Sequence, residues 1–100
     1  MVTEVALIAI RPGEGPAFEA AVAQAAPVFR AARGCLGMSL ERTVEQPELY
    51  RLVVRWATLE DHTVHFRGSE GFQQWRALAG PYFASAPEVR HVVEISRYFG

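Results

Sequence analysis

The run from Val2 to Ile10 (VTEVALIAI) is apolar at both parities of a strand: Val5, Leu7 and Ala9 alternate with Ala6, Ile8 and Ile10. Successive side chains of a strand point to opposite faces, so this segment demands cover on both of them. The run is short and β-branched, and Arg11-Pro12-Gly13-Glu14-Gly15 stops it as a turn. Few residues are available to supply that cover. The chain has 100 residues, half of them apolar, a size at which a compact monomer buries roughly 65% of its unfolded surface. That suffices for a single domain over residues 1–100, with little room for a large enclosed cavity.

Pro16 suits the first turn of a helix, where a missing N–H is tolerated, and Phe18, Val22, Ala25, Phe29 and Ala32 follow at helical spacing. Pro27 falls inside that pattern and predicts a kink or break near Gln24 to Ala26. Gly34 suits the C-terminal cap. Leu36, Met38 and Leu40 alternate with Gly37, Ser39 and Glu41; after a turn at Glu45-Gln46-Pro47 a second strand runs from Glu48 to Ala57, so the two form a hairpin. Thr58-Leu59-Glu60-Asp61 resembles a capping box with Asp in place of the usual Glu, opening a short helix through Phe66. Arg67-Gly68 interrupts it. Ser69 then caps a helix carrying Phe72, Trp75, Leu78 and Ala79, which ends at Gly80-Pro81 with a last turn at Tyr82-Phe83. Beyond Pro87, Glu88 to Tyr98 reads as a final strand.

The order βαββααβ matches an α+β, ferredoxin-like plan: a four-stranded antiparallel sheet with helices on one face. Helices can cover only that one face, yet the first strand is apolar on both, and Val92 and Val93 of the last strand also point to opposite sides. An exposed apolar sheet face is an aggregation liability. The expected solution is a homodimer closed through the sheet faces.

Several partners are excluded. Ten Arg, with no Lys, face eleven acidic residues for a net charge of −1, so no basic patch for nucleic acid is expected. No apolar run approaches the roughly 18 residues of a membrane span, and Met1-Val2-Thr3-Glu4 lacks a positively charged leader region. The expectation is a cytoplasmic domain. Cys35 is the only cysteine, which excludes an intramolecular disulfide and a multi-cysteine metal site.

Two histidines, His62 and His65, stand three apart on the short helix, a spacing that lets both share a face. Imidazole titrates near neutrality and suits a general base. A metal site needs a third ligand, His91 or Asp61, and the spacing alone does not supply one; no metal is expected. The plainer alternative packs His62 beside Leu59 and Phe66 and turns His65 to solvent. Trp56, Trp75, Tyr82 and Phe83, with Phe66 and Phe72, form an aromatic set near these histidines, suited to holding a flat ring. An ordinary core explains Phe66 and Phe72 equally well. Arg51 and Arg55 share a strand face with Leu49 and Val53, opposite Tyr50, Leu52, Val54 and Trp56. Beside the polar alternation at Ser39, Glu41 and Thr43 this fits an Arg–Glu pair inside the dimer interface, with a clamp for a substrate carboxylate as the alternative.

Trp56-Ala57-Thr58-Leu59-Glu60-Asp61-His62 followed by His65, Ser69 and Phe72 resembles the strand-to-helix signature of the antibiotic biosynthesis monooxygenase (ABM) domain family. Phe72-Gln73-Gln74-Trp75-Arg76, Pro81-Tyr82-Phe83, Pro87 and His91 extend the resemblance over nearly the whole chain. It implies a dimeric α+β barrel with a pocket between each sheet and its helices. Family activities include cofactor-independent oxygenation of aromatic polyketides or quinols, and haem degradation. The haem-degrading branch uses an Asn on the first strand, and this chain has no Asn at all. The expectation is therefore a cofactor-independent monooxygenase acting on a small aromatic molecule, with His62 or His65 as base and Trp56, Trp75, Tyr82 and Phe83 around the ring. The alternative is a non-catalytic small-molecule-binding or stress-response dimer of the same fold.

Overall fold

In the computed structural model, which describes residues 1–100, the two-sided apolar run forms an interior strand, β1 (Val2–Ala9), of a four-stranded antiparallel sheet. β2 (Cys35–Arg42), β3 (Leu49–Trp56) and β4 (Glu88–Val92) complete it in the order β2-β3-β1-β4. Helices α1 (Gly15–Arg30) and α2 (Glu70–Ala79), a π-helical turn at Asp61–Phe66 and a 3-10 turn at Gly80–Tyr82 make up the rest. This is the α+β, ferredoxin-like arrangement that the element order predicts.

Parity decides what each strand buries. Glu4, Ala6 and Ile8 of β1 and Tyr50, Leu52, Val54 and Trp56 of β3 all point to the helical side and are buried. Phe18, Val22, Ala25 and Phe29 of α1 and Trp75 and Ala79 of α2 close over them as one core. Each large apolar side chain taken fully out of water there contributes about 1.5–3 kcal/mol. The other parity, with Val5, Leu7, Val53 and Val92, faces away from the helices, and Leu7 and Val92 are exposed. Arg51 on that face pairs with Glu41 across the β2–β3 ladder at 2.6 Å.

The signals for the two N-terminal caps are met. Thr58 and Asp61 bond reciprocally, Asp61 N–H to Thr58 Oγ1 at 3.1 Å and Thr58 N–H to Asp61 Oδ2 at 3.2 Å, as a capping box requires. Ser69 Oγ accepts from Phe72 N–H at the start of α2. The expected cap at Gly34 is corrected: α1 ends at Arg30 with Ala31 as its C-cap, and Gly34 turns the chain three residues later with φ +75°, where a Cβ would collide with the Asp61 carboxylate. Glycine is needed at that position for both reasons.

Two further expectations are corrected. α1 runs unbroken through Pro27. Pro27 and Ala23, four residues earlier, both face solvent, so water can satisfy the carbonyl that loses its helical partner. The last strand also ends at Val92 rather than Tyr98. β4 pairs only with β1, and the Thr3–Val92 pair lies one residue from the start of β1, so the residues beyond Val93 have no strand left to pair with. Ile95, Tyr98 and Phe99 are consequently exposed.

Candidate functional site

Glu4 is an acid on the buried parity of β1. It survives there because its Oε1 accepts from the Trp56 indole at 3.0 Å and lies 3.3 Å from His62 Nε2. Trp56 closes β3 opposite the start of β1 and is fully buried. The capping box then turns the chain so that His62, two residues into the next segment's first turn, lies flat on the Trp56 ring, with centroids 5.4 Å apart and planes at 19°. The other imidazole nitrogen, Nδ1, is 2.7 Å from Nε2 of His91 on β4. His91 is half-buried, so the chain Glu4–His62–His91 runs from the interior to the edge of the sheet.

Burial shifts all three groups toward neutrality. It pushes His62 down to about 4, helped by the positive charge of Arg67 and by His91. His91 is lowered as well, by burial and then by Arg67. The Glu4 carboxyl is raised by burial, with the Trp56 hydrogen bond and the Arg67 charge opposing the rise. A buried carboxylate of raised pKa is a stronger base than an exposed one.

Glu4 and His62 also form the wall of a cavity of about 380 Å³ between sheet and helices. Its apolar lining includes Ile8, Leu52, Phe72, Trp75 and Phe83, and its rim carries Arg67, Arg76 and Ser85. That volume and this mix of apolar wall with few polar groups suit a small ligand. Of the four aromatic residues expected around a ring, Trp75 and Phe83 line this cavity. Trp56 touches the site through Glu4 and His62 rather than lining the cavity. Tyr82 is half-buried against the core, outside the cavity lining.

His65 is exposed and lines a separate cleft with Arg33, Ser69, Glu70 and Gln74. The shared face predicted for His62 and His65 assumes α-helical geometry. Here the Arg67 N–H reaches back five residues to the His62 carbonyl, and the wider turn carries His65 away from His62. Asp61, once a possible third ligand, is held by Thr58 and by Arg33 at 3.5 Å. Glu4 is the candidate site residue that sequence reasoning passes over. Its signal is a carboxylate on the same parity as Ala6, Ile8 and Ile10, where water is absent.

The family model described as antibiotic biosynthesis monooxygenase matches residues 1–78. The chain belongs to the ABM family. A Bacillus subtilis (strain 168) protein, the uncharacterized YczJ, is 40% identical over 95 residues, spanning 95% of this chain and all of the relative. The crystal structure of a candidate antibiotic biosynthesis monooxygenase from Bordetella bronchiseptica superposes with a TM-score of 0.94 at 47% identity, covering 95% of this chain and 97% of that one. A candidate from Caulobacter crescentus CB15 shares the fold at a TM-score of 0.80 and 24% identity, over 95% and 90% of the two chains. In this ABM domain the Glu4–His62–His91 chain links three parts of the fold. Glu4 lies on β1 and His62 on the π turn, both inside the matched region, and His91 lies on β4 beyond it. No helix is long and apolar enough to cross a membrane.

Proposed function

We propose that this ABM-family chain is a cofactor-independent monooxygenase acting on a small electron-rich aromatic molecule, a phenol, quinol or anthrone. The observation that carries the reading is the buried Glu4–His62–His91 chain on the wall of an aromatic-lined cavity. Trp75 and Phe83 flank the ring, and Trp56 and Tyr82 support the walls. Both Glu4 contacts fall on Oε1, which leaves Oε2 for the acidic proton of the ligand. Glu4 takes that proton; His62 and His91 orient the carboxylate and offer the proton a route to the sheet edge. Exclusion of water strengthens these interactions.

The electron balance selects among substrates. An anthrone anion can pass an electron to dioxygen and recombine to a hydroperoxide that loses water. Conversion of the ring CH₂ to C=O releases four electrons, so one oxygen atom enters the product and the other leaves as water. A simple quinol releases two electrons and yields hydrogen peroxide instead. The functional unit is a homodimer through the helix-free sheet faces, where Val5, Leu7, Val53 and Val92 lie, and cytoplasmic.

The test is oxygen uptake with anthrone, with formation of the ring ketone, against buffer autoxidation. Uptake above buffer that falls in His62→Ala supports the reading, and no uptake above buffer contradicts it. One observation favours the alternative of a non-catalytic binding dimer: His62 is only 2% exposed with both ring nitrogens engaged, as a purely structural network would be. A ligand that co-purifies and is bound without turnover would select that alternative.

A further inference from the structure

Two guanidinium groups, Arg67 and Arg76, line the same cavity as Glu4 and His62. Neither has a carboxylate within ion-pair distance, unlike Arg33, Arg42, Arg51 and Arg97; Arg11, Arg30, Arg55 and Arg90 are unpaired too, but none of them lines this cavity. Arg76 is steadied over the Phe72 ring, 5.9 Å from its centroid, which keeps its charge at the rim. Arg67 follows the π turn, whose backbone bond to His62 ties its position to the buried histidine. Its charge is felt by Glu4, His62 and His91 alike. The only acid in the lining is Glu4, and its Oε1 already receives Trp56 and faces His62. The cavity therefore has an apolar aromatic body, one engaged carboxyl and two unengaged cations.

We infer that the ligand of this cavity is an aromatic carboxylate, its ring against Phe72, Trp75 and Phe83 and its carboxylate held by Arg67 and Arg76. The planar guanidinium fork matches a carboxylate through two parallel hydrogen bonds, which a neutral amide of the same shape cannot reproduce. Partial enclosure by apolar walls makes each such contact stronger than it is on an open surface. This inference rests on the cavity being the ligand site, and it names the class of molecule admitted there.

The test is isothermal titration calorimetry with 2-naphthoate and 2-naphthamide, which differ in charge but hardly in shape, under nitrogen so that no oxygen chemistry intervenes. Wild type is expected to bind the acid at least about tenfold more tightly than the amide. Arg67→Gln and Arg76→Gln each reduce that ratio, and the double variant brings it near one. Arg30→Gln, at a separate cleft, keeps the wild-type ratio. Equal affinities, no binding of either compound at millimolar concentration, or a preference that survives the double variant would overturn the inference. Because only binding is read, absent oxygen uptake with a retained acid preference rejects the oxygenase reading alone. Oxygen uptake without any acid preference rejects this inference alone.

Discussion

His62 Nε2 and Glu4 Oε1 meet at 3.3 Å with both side chains buried, so the proton inventory of one constrains the other. A neutral imidazole carries one N–H and one bare nitrogen. With Glu4 ionised, His62 must hold its proton on Nε2 and accept from His91 at Nδ1. When Glu4 is protonated, both rings can reverse. A proton gained in the cavity can thus be registered at His91, half-exposed at the sheet edge.

This coupling gives the protein a signed acid response. The folded pKa of His62, about 4, lies below the ordinary 6.5. Between those values the unfolded chain binds the proton and the folded one does not, so stability is lost as pH falls from 6.5 toward 4. His91, also lowered, acts in the same direction. Glu4, raised by burial, acts in the opposite direction, because protonation relieves its buried charge. Urea unfolding from pH 7 to 4 should show a falling midpoint in wild type and a smaller fall in His62→Gln. Identical pH profiles would refute the assignment.

The junction that positions His62 should be intolerant of a side chain. Gly34→Ala adds a left-handed strain and drives a methyl group into Asp61, half of the capping box that opens the π turn. A loss of about 2 kcal/mol or more is expected. Gly13 has a similar φ, +81°, with nothing nearby, so Gly13→Ala should cost only about 1 kcal/mol. Denaturant midpoints of the two variants check the difference.

Much of this was legible in the chain. Turn residues and caps act locally, so Ser69 and the Thr58–Asp61 box mark their boundaries correctly, while Gly34 falls three residues past the Ala31 cap of α1; strand parity separates Tyr50, Leu52, Val54 and Trp56 from Arg51 and Val53. The missed features depend on distant partners. Glu4 meets Trp56 across a sequence separation of 52, the end of β4 depends on where β1 runs out, and tolerance of Pro27 depends on which helix face meets water. The π turn that separates His65 from His62 has no short sequence signal.

The open sheet face yields a separate expectation. Leu7 lies in the middle of β1, beside Arg51 and Glu88, on the face away from the helices. Sedimentation equilibrium should give twice the chain mass for wild type. Leu7→Arg should shift the population toward monomer while leaving far-ultraviolet circular dichroism unchanged, since the substituted side chain meets no helix. A wild-type monomer at micromolar concentration would contradict the dimer.

In the proposed reaction Glu4 is the group that takes the ligand's proton. The direct measurement is the initial rate of anthrone-dependent oxygen consumption by wild type and Glu4→Gln. Glutamine keeps an acceptor for the Trp56 indole but has no basic carboxylate. A loss of about 100-fold or more with retained folding is predicted, in the range for removal of a general base. A Glu4→Gln rate equal to wild type would contradict the account.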